Sequence, residues 1–130
     1  MEEMVYKNKD DRQWLEHNTY KNYEYVVMSL GTHPTAYIGI PKGHRLYGLD
    51  IQDIDIDCHG GCTYSQNRIL KDDGSSYSND KWWIGWDYAH LYDYLGWFDG
   101  NPDFVDDYRK HWTTKEIVWE VEAVIDSIGD

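Results

Sequence analysis

The C-terminal segment constrains the fold most. Thr113-Thr114-Lys115-Glu116 is a capping box, with Thr113 as the helix cap and Glu116 placed to reach back to the cap amide. Ile117, Val118, Val121, Val124, Ile125 and Ile128 follow at helical spacing, and Gly129 fits the stop. This predicts an amphipathic helix whose far side carries Lys115, Glu122 and Asp126. Such an apolar face must cover something, and a twisted antiparallel sheet is the obvious candidate.

Upstream segments supply that sheet. Tyr23 to Leu30 is rich in β-branched and aromatic residues, Gly31-Thr32-His33-Pro34 has turn chemistry, and Ala36 to Ile40 reads as the returning strand. Pro41-Lys42-Gly43-His44 is a second turn, followed by a loop through Tyr47-Gly48. Ile54 to Cys58 alternates Ile with Asp, the period of a half-buried strand. Residues 66–81 read as an exposed loop, and Trp82 to Trp86 as a buried strand. Residues 1–22 are expected to form a polar arm or short helix, docked by Trp14, ahead of a single α+β domain at 23–130.

Size and composition agree with one domain. The chain has 130 residues, of which 41% are hydrophobic and 16% aromatic, so a disordered tail is excluded. No apolar run approaches the roughly 20 residues of a membrane span. The opening Met1-Glu2-Glu3-Met4 lacks the apolar core of a secretory signal, which leads us to expect a cytoplasmic protein. The formal charge is -12, with 24 acidic against 12 basic side chains. That balance opposes direct binding to nucleic acid or anionic lipid and favours a basic partner, a cation or plain solubility.

Four constellations bear on chemistry. Cys58-His59-Gly60-Gly61-Cys62 could begin a zinc site, but no second Cys pair exists to complete it, and two free, half-buried thiols are the simpler reading. Asp53, Asp55 and Asp57 open like a calcium loop, yet its required Gly and Glu places hold Cys58 and Tyr64, so that template fails. His59-Gly60-Gly61, followed by Thr63-Tyr64-Ser65, offers permissive backbone, amides that suit an anion, and hydroxyls; a tight turn with a satisfied His is the plain alternative.

The segment Trp82 to His90 is the densest. If Asp87 opens a short helix, then Asp87, His90 and Tyr94 share one face, and an Asp orienting a His serves as a base, a metal site or a cap. Asp93 is the other partner for His90. Tyr47, Tyr64 and Trp86 stand beside glycines and would suit stacking walls for a flat ring, although most aromatics in a small domain are core. Lys42, Arg45, Arg68, Arg109 and Lys110 would supply any counter-charge for phosphate.

Three stretches together carry a resemblance. They are Tyr37-Ile38-Gly39-Ile40-Pro41-Lys42-Gly43-His44 with Tyr47-Gly48 after it, His59-Gly60-Gly61-x-Thr63-Tyr64-Ser65, and Trp82-Trp83-Ile84-Gly85-x-Asp87-x-Ala89-His90-x-x-Asp93. The chain resembles small, largely uncharacterised phage and prophage proteins that combine these motifs with a terminal helix. Cys62 stands where an aliphatic residue is more usual in them. The resemblance spans roughly residues 23–128 and implies action inside an infected bacterial cell.

The leading expectation is a non-enzymatic counter-defence protein that sequesters a small nucleotide-type immune signal, with no cofactor. Tyr64, Trp86 and Tyr47 would stack on it, and His44, His59, Thr63 and Ser65 would hydrogen-bond. Gly60 and Gly61 would admit its approach, and Asp87 and His90 would shape the wall. A homo-oligomer would suit such a site. A second expectation is an acidic DNA mimic against a basic host nuclease or CRISPR effector, through Asp53, Asp55, Asp57 and the cluster Asp99, Asp103, Asp106 and Asp107. A third is a metal-assisted hydrolase using His59, His90 and Asp87 or Asp93.

Overall fold

Lys21 and Asn22 both have positive φ, 51° and 72°, and between them they turn one strand back onto the next. Two central residues with positive φ are the signature of the tight hairpin turn whose twist suits antiparallel strands. The turn joins β1 (Gln13–Tyr20) to β2 (Tyr23–Ser29), with Tyr20 opposite Tyr23. The computed structural model describes residues 13–29, 34–69, 80–88 and 113–129.

For residues 13–20 this hairpin corrects the reading as an arm or short helix, since they are an edge strand and belong to the sheet. Glu16-His17-Asn18-Thr19 is polar on both sides, as a solvated edge permits, so no apolar alternation marks it. The turn pair Lys-Asn also lacks the usual glycine.

β3 (Pro34–Pro41) pairs with β2 on one side and with β5 (Lys81–Asp87) on the other. β4 (Tyr64–Gln66) closes the far edge against β5. The order is β1-β2-β3-β5-β4, all antiparallel. With α1 (Thr114–Ile128), the architecture is the expected α+β.

The cap on α1 forms as read: the Glu116 amide donates to the Thr113 hydroxyl at 3.2 Å, and the Thr113 amide donates to the Glu116 carboxylate at 3.0 Å. Ile117, Val121, Val124, Ile125 and Ile128 are buried against Tyr25, Val27, Ala36, Ile38, Ile40, Ile84 and Trp86. The opposite face of the sheet buries Val26, Met28, Tyr37, Ile69 and Trp83. The inner strands are therefore apolar on both faces, which explains the runs YVVM and WWI. Gly85 is required there: a Cβ would lie 2.5 Å from the Ala36 carbonyl and 2.6 Å from the Tyr37 ring.

Ile54 to Cys58 is not a strand. A short 3-10 turn, Ile51–Asp53, precedes it, and the segment pairs with no strand among the described residues. Its alternation is nevertheless realised, with Ile54 buried and Asp55 and Asp57 exposed. Period two requires one apolar side, not a hydrogen-bonded neighbour. Among the described residues no helix is long and apolar enough to cross a membrane.

Candidate functional site

The two-glycine turn is anchored from behind by α1. The Gly61 amide donates to the Cys58 carbonyl at 2.9 Å, closing a turn in which Gly60 and Gly61 have φ of 71° and 82°. That conformation favours glycine at both places. The His59 backbone N–H donates to Glu120 Oε2 at 2.8 Å. Oε1 of the same carboxylate accepts from the Tyr88 hydroxyl, which in turn accepts the Trp86 indole N–H at 3.0 Å. The His59 ring lies flat on the Tyr88 ring, centroids 4.6 Å apart and planes 11° apart. One carboxylate thus ties a helix, a turn and the end of β5 together.

Electrostatics follow from burial. Tyr88 is fully buried, and desolvation followed by its bond to Glu120 pushes its phenol well above the ordinary value, so it stays a donor. Burial, helped by neighbouring Cys62 and Glu120, pushes the Cys58 thiol up to about 12. Burial raises Cys62 as well, and its thiol points to the Tyr64 carbonyl at 3.4 Å. Both cysteines are free and half-buried. A raised thiol pKa lowers the fraction of reactive thiolate at neutral pH.

The residues singled out in the sequence fall into separate groups. His59, Gly60, Gly61 and Thr63 gather at one end of the sheet on its helix side, where Thr63 donates its amide to the Gly85 carbonyl at 2.9 Å. Gly60 and Thr63 are exposed. Trp86 is 1% exposed and packs in the core beneath them, so it offers no stacking face, and its indole N–H bonds to Tyr88.

His44, Tyr47 and Ser65 serve elsewhere. His44 Nδ1 accepts the Leu46 amide at 3.0 Å, and Nε2 sits 3.1 Å from the Ile128 carbonyl, so the ring holds the last turn of α1. Tyr47 packs beside Trp82, with ring centroids 6.1 Å apart. Ser65 accepts the Trp82 indole N–H at 2.9 Å and donates to the Leu49 carbonyl. Trp82 lies at the opposite end of β5 from Tyr88, about 20 Å away at the usual rise per residue.

Tyr64 lies on the other face of the sheet, edge-on to Tyr37 at 5.1 Å, and its hydroxyl donates to the Arg68 carbonyl. Asp87 ends β5, opposite Thr35, and strand alternation turns it to that same face. It does not open a helix. His90, Tyr94, Asp93, Arg109, Lys110 and the Asp99–Asp107 cluster lie outside the described residues. Among the described residues no group of three or more His, Cys, Asp and Glu side chains is arranged to hold a metal.

Glu120 and Tyr88 are the residues that sequence reasoning missed. Glu120 sits at a half-buried helix position, and the only available signal was an acid on the border of the apolar face. Tyr88 lies within the densest motif, where an aromatic side chain by itself suggests no more than core packing. In comparisons with known proteins, no family model, no curated protein and no solved structure matches the chain.

Proposed function

We propose that this chain is a phage-encoded counter-defence protein that acts by binding, and that it sequesters a small nucleotide-type host signal at the His59–Thr63 turn. The observation that carries this reading is the His59–Tyr88 stack, which joins two of the three sequence motifs at one corner of the fold. The turn presents exposed glycine backbone and the Thr63 hydroxyl, while the Glu120 carboxylate holds it in one geometry. A site whose supporting groups are already bonded costs less to order on binding.

The proposed site is narrower than the sequence suggested: it keeps His59, Gly60, Gly61 and Thr63 and leaves out His44, Tyr47, Tyr64, Ser65, Trp86 and Asp87. The test is amide-resolved NMR of the chain titrated with nucleotides, alongside His59→Ala. Saturable shifts confined to the turn support the reading. Shifts confined to Tyr47, Ser65 and Trp82 would relocate the site and contradict it.

A second reading rests on a different observation. Asp50, Asp53, Asp55 and Asp57 are all exposed, and none of their carboxylates bonds to a described residue. With a formal charge of -12, this loop would suit a basic protein surface, as in an acidic inhibitor of a nucleic-acid-binding effector. Inhibition that collapses with added salt and on reversal of these charges would favour it over sequestration.

A further inference from the structure

We infer that Glu120 fills the anion position of the two-glycine turn, so the ligand group that meets this turn carries no negative charge. The inference rests on the turn being the proposed site and narrows what enters it. A glycine turn attracts phosphate when its amides point outward unpaired. Here three of the amides are engaged. His59 N–H goes to Glu120 Oε2 at 2.8 Å, Gly61 N–H to the Cys58 carbonyl at 2.9 Å, and Thr63 N–H to the Gly85 carbonyl at 2.9 Å.

The occupant is itself an anion. A carboxylate that accepts a backbone N–H on one oxygen and a buried phenol on the other satisfies both partners with charge-assisted bonds. Among the described residues no Lys or Arg pairs with Glu120 to offset it. Asp57 adds to the same local field, since it helps to raise Cys58. A phosphate arriving at the turn would have to displace Glu120 from two donors or sit against its charge. A nucleotide-type ligand therefore presents its base or sugar to the turn, as a neutral or cationic hydrogen-bonding group, and directs its phosphate away.

Backbone amide NMR tests this with simple probes. Inorganic phosphate and a set of nucleosides with their 5′-monophosphates are titrated into the wild-type chain and into Glu120→Gln. In the wild type, phosphate should leave His59, Gly60 and Gly61 unmoved, and each nucleoside should shift them as strongly as its monophosphate. In Glu120→Gln the His59 amide proton should move upfield, and the turn should begin to respond to phosphate, with the sheet amides unchanged. A saturable phosphate shift at the turn of the wild type overturns the inference, whether or not the variant folds. A turn that stays silent to phosphate in folded Glu120→Gln also overturns it, because Glu120 would then not be what excludes the anion. Silence of the turn towards every nucleoside and monophosphate rejects the nucleotide site instead, and the phosphate arms still decide the role of Glu120.

Discussion

Glu120 accepts the His59 amide at 2.8 Å across a separation of 61 residues. A helix side chain thereby fixes the backbone of a turn whose flanking cysteines pack against the core. The bond is part of a directed relay, from the Trp86 indole N–H to the Tyr88 hydroxyl and from that hydroxyl to Glu120. Removing a member of the relay therefore orphans its neighbours.

Tyr88→Phe should accordingly destabilise the fold by about 1–3 kcal/mol, because the buried indole N–H of Trp86 loses its partner and Glu120 loses one donor. Denaturant unfolding checks this. The His59 amide should keep its protection from exchange in this variant, since its own bond to Glu120 remains.

The end of α1 depends on His44. His44→Ala removes the group that contacts the Ile128 carbonyl and accepts the Leu46 amide. It should cost about 1–2 kcal/mol and increase exchange in the last helical turn before the first. Thr113→Ala, which breaks the cap at the other end, should cost about 1 kcal/mol and fray the first turn instead.

Alkaline pH should destabilise the fold through Cys58 and Tyr88. In the unfolded chain they ionise near their ordinary values of 9.0 and 10.0, while the fold pushes Cys58 up to about 12 and Tyr88 higher still. Their raised values mean that the contribution is complete below about pH 9 and is lost as pH rises towards the folded values. The melting temperature should fall steadily above about pH 9. Cys58→Ala should flatten that slope, and an unchanged slope would remove Cys58 from the account.

Tyr64, a candidate stacking residue, and His59, a candidate hydrogen-bonding residue, separate cleanly. Tyr64 is on the face opposite α1, so Tyr64→Ala should leave ligand affinity unchanged. His59→Ala removes the ring that stacks on Tyr88 and should weaken binding at least about tenfold, the equivalent of about 1.4 kcal/mol. Isothermal titration with one nucleotide on both variants distinguishes them.

Much of the fold was legible because it is written in local signals. The Thr113–Glu116 box, the apolar spacing to Ile128 and the runs around Val26, Ile38 and Trp83 each specify an element without reference to the rest of the chain. β1 escaped notice because a solvated edge strand needs no apolar side. Ile54–Cys58 misled because alternation reports burial, not pairing. The site was only half legible: His59, Gly60 and Gly61 announce a special backbone, but Glu120 matters through a bond that closes only when α1 crosses the sheet. Trp86 and Tyr64 could not be assigned to faces until the register of β5 against β4 was known, with Tyr64 opposite Gly85.

The most direct test of sequestration is native mass spectrometry of the chain recovered from infected bacterial cells, compared with its denatured mass and with His59→Ala treated identically. The account predicts an added mass of nucleotide size on the wild-type chain that is absent from the variant. A bare wild-type polypeptide, or an equal added mass on both chains, would contradict it.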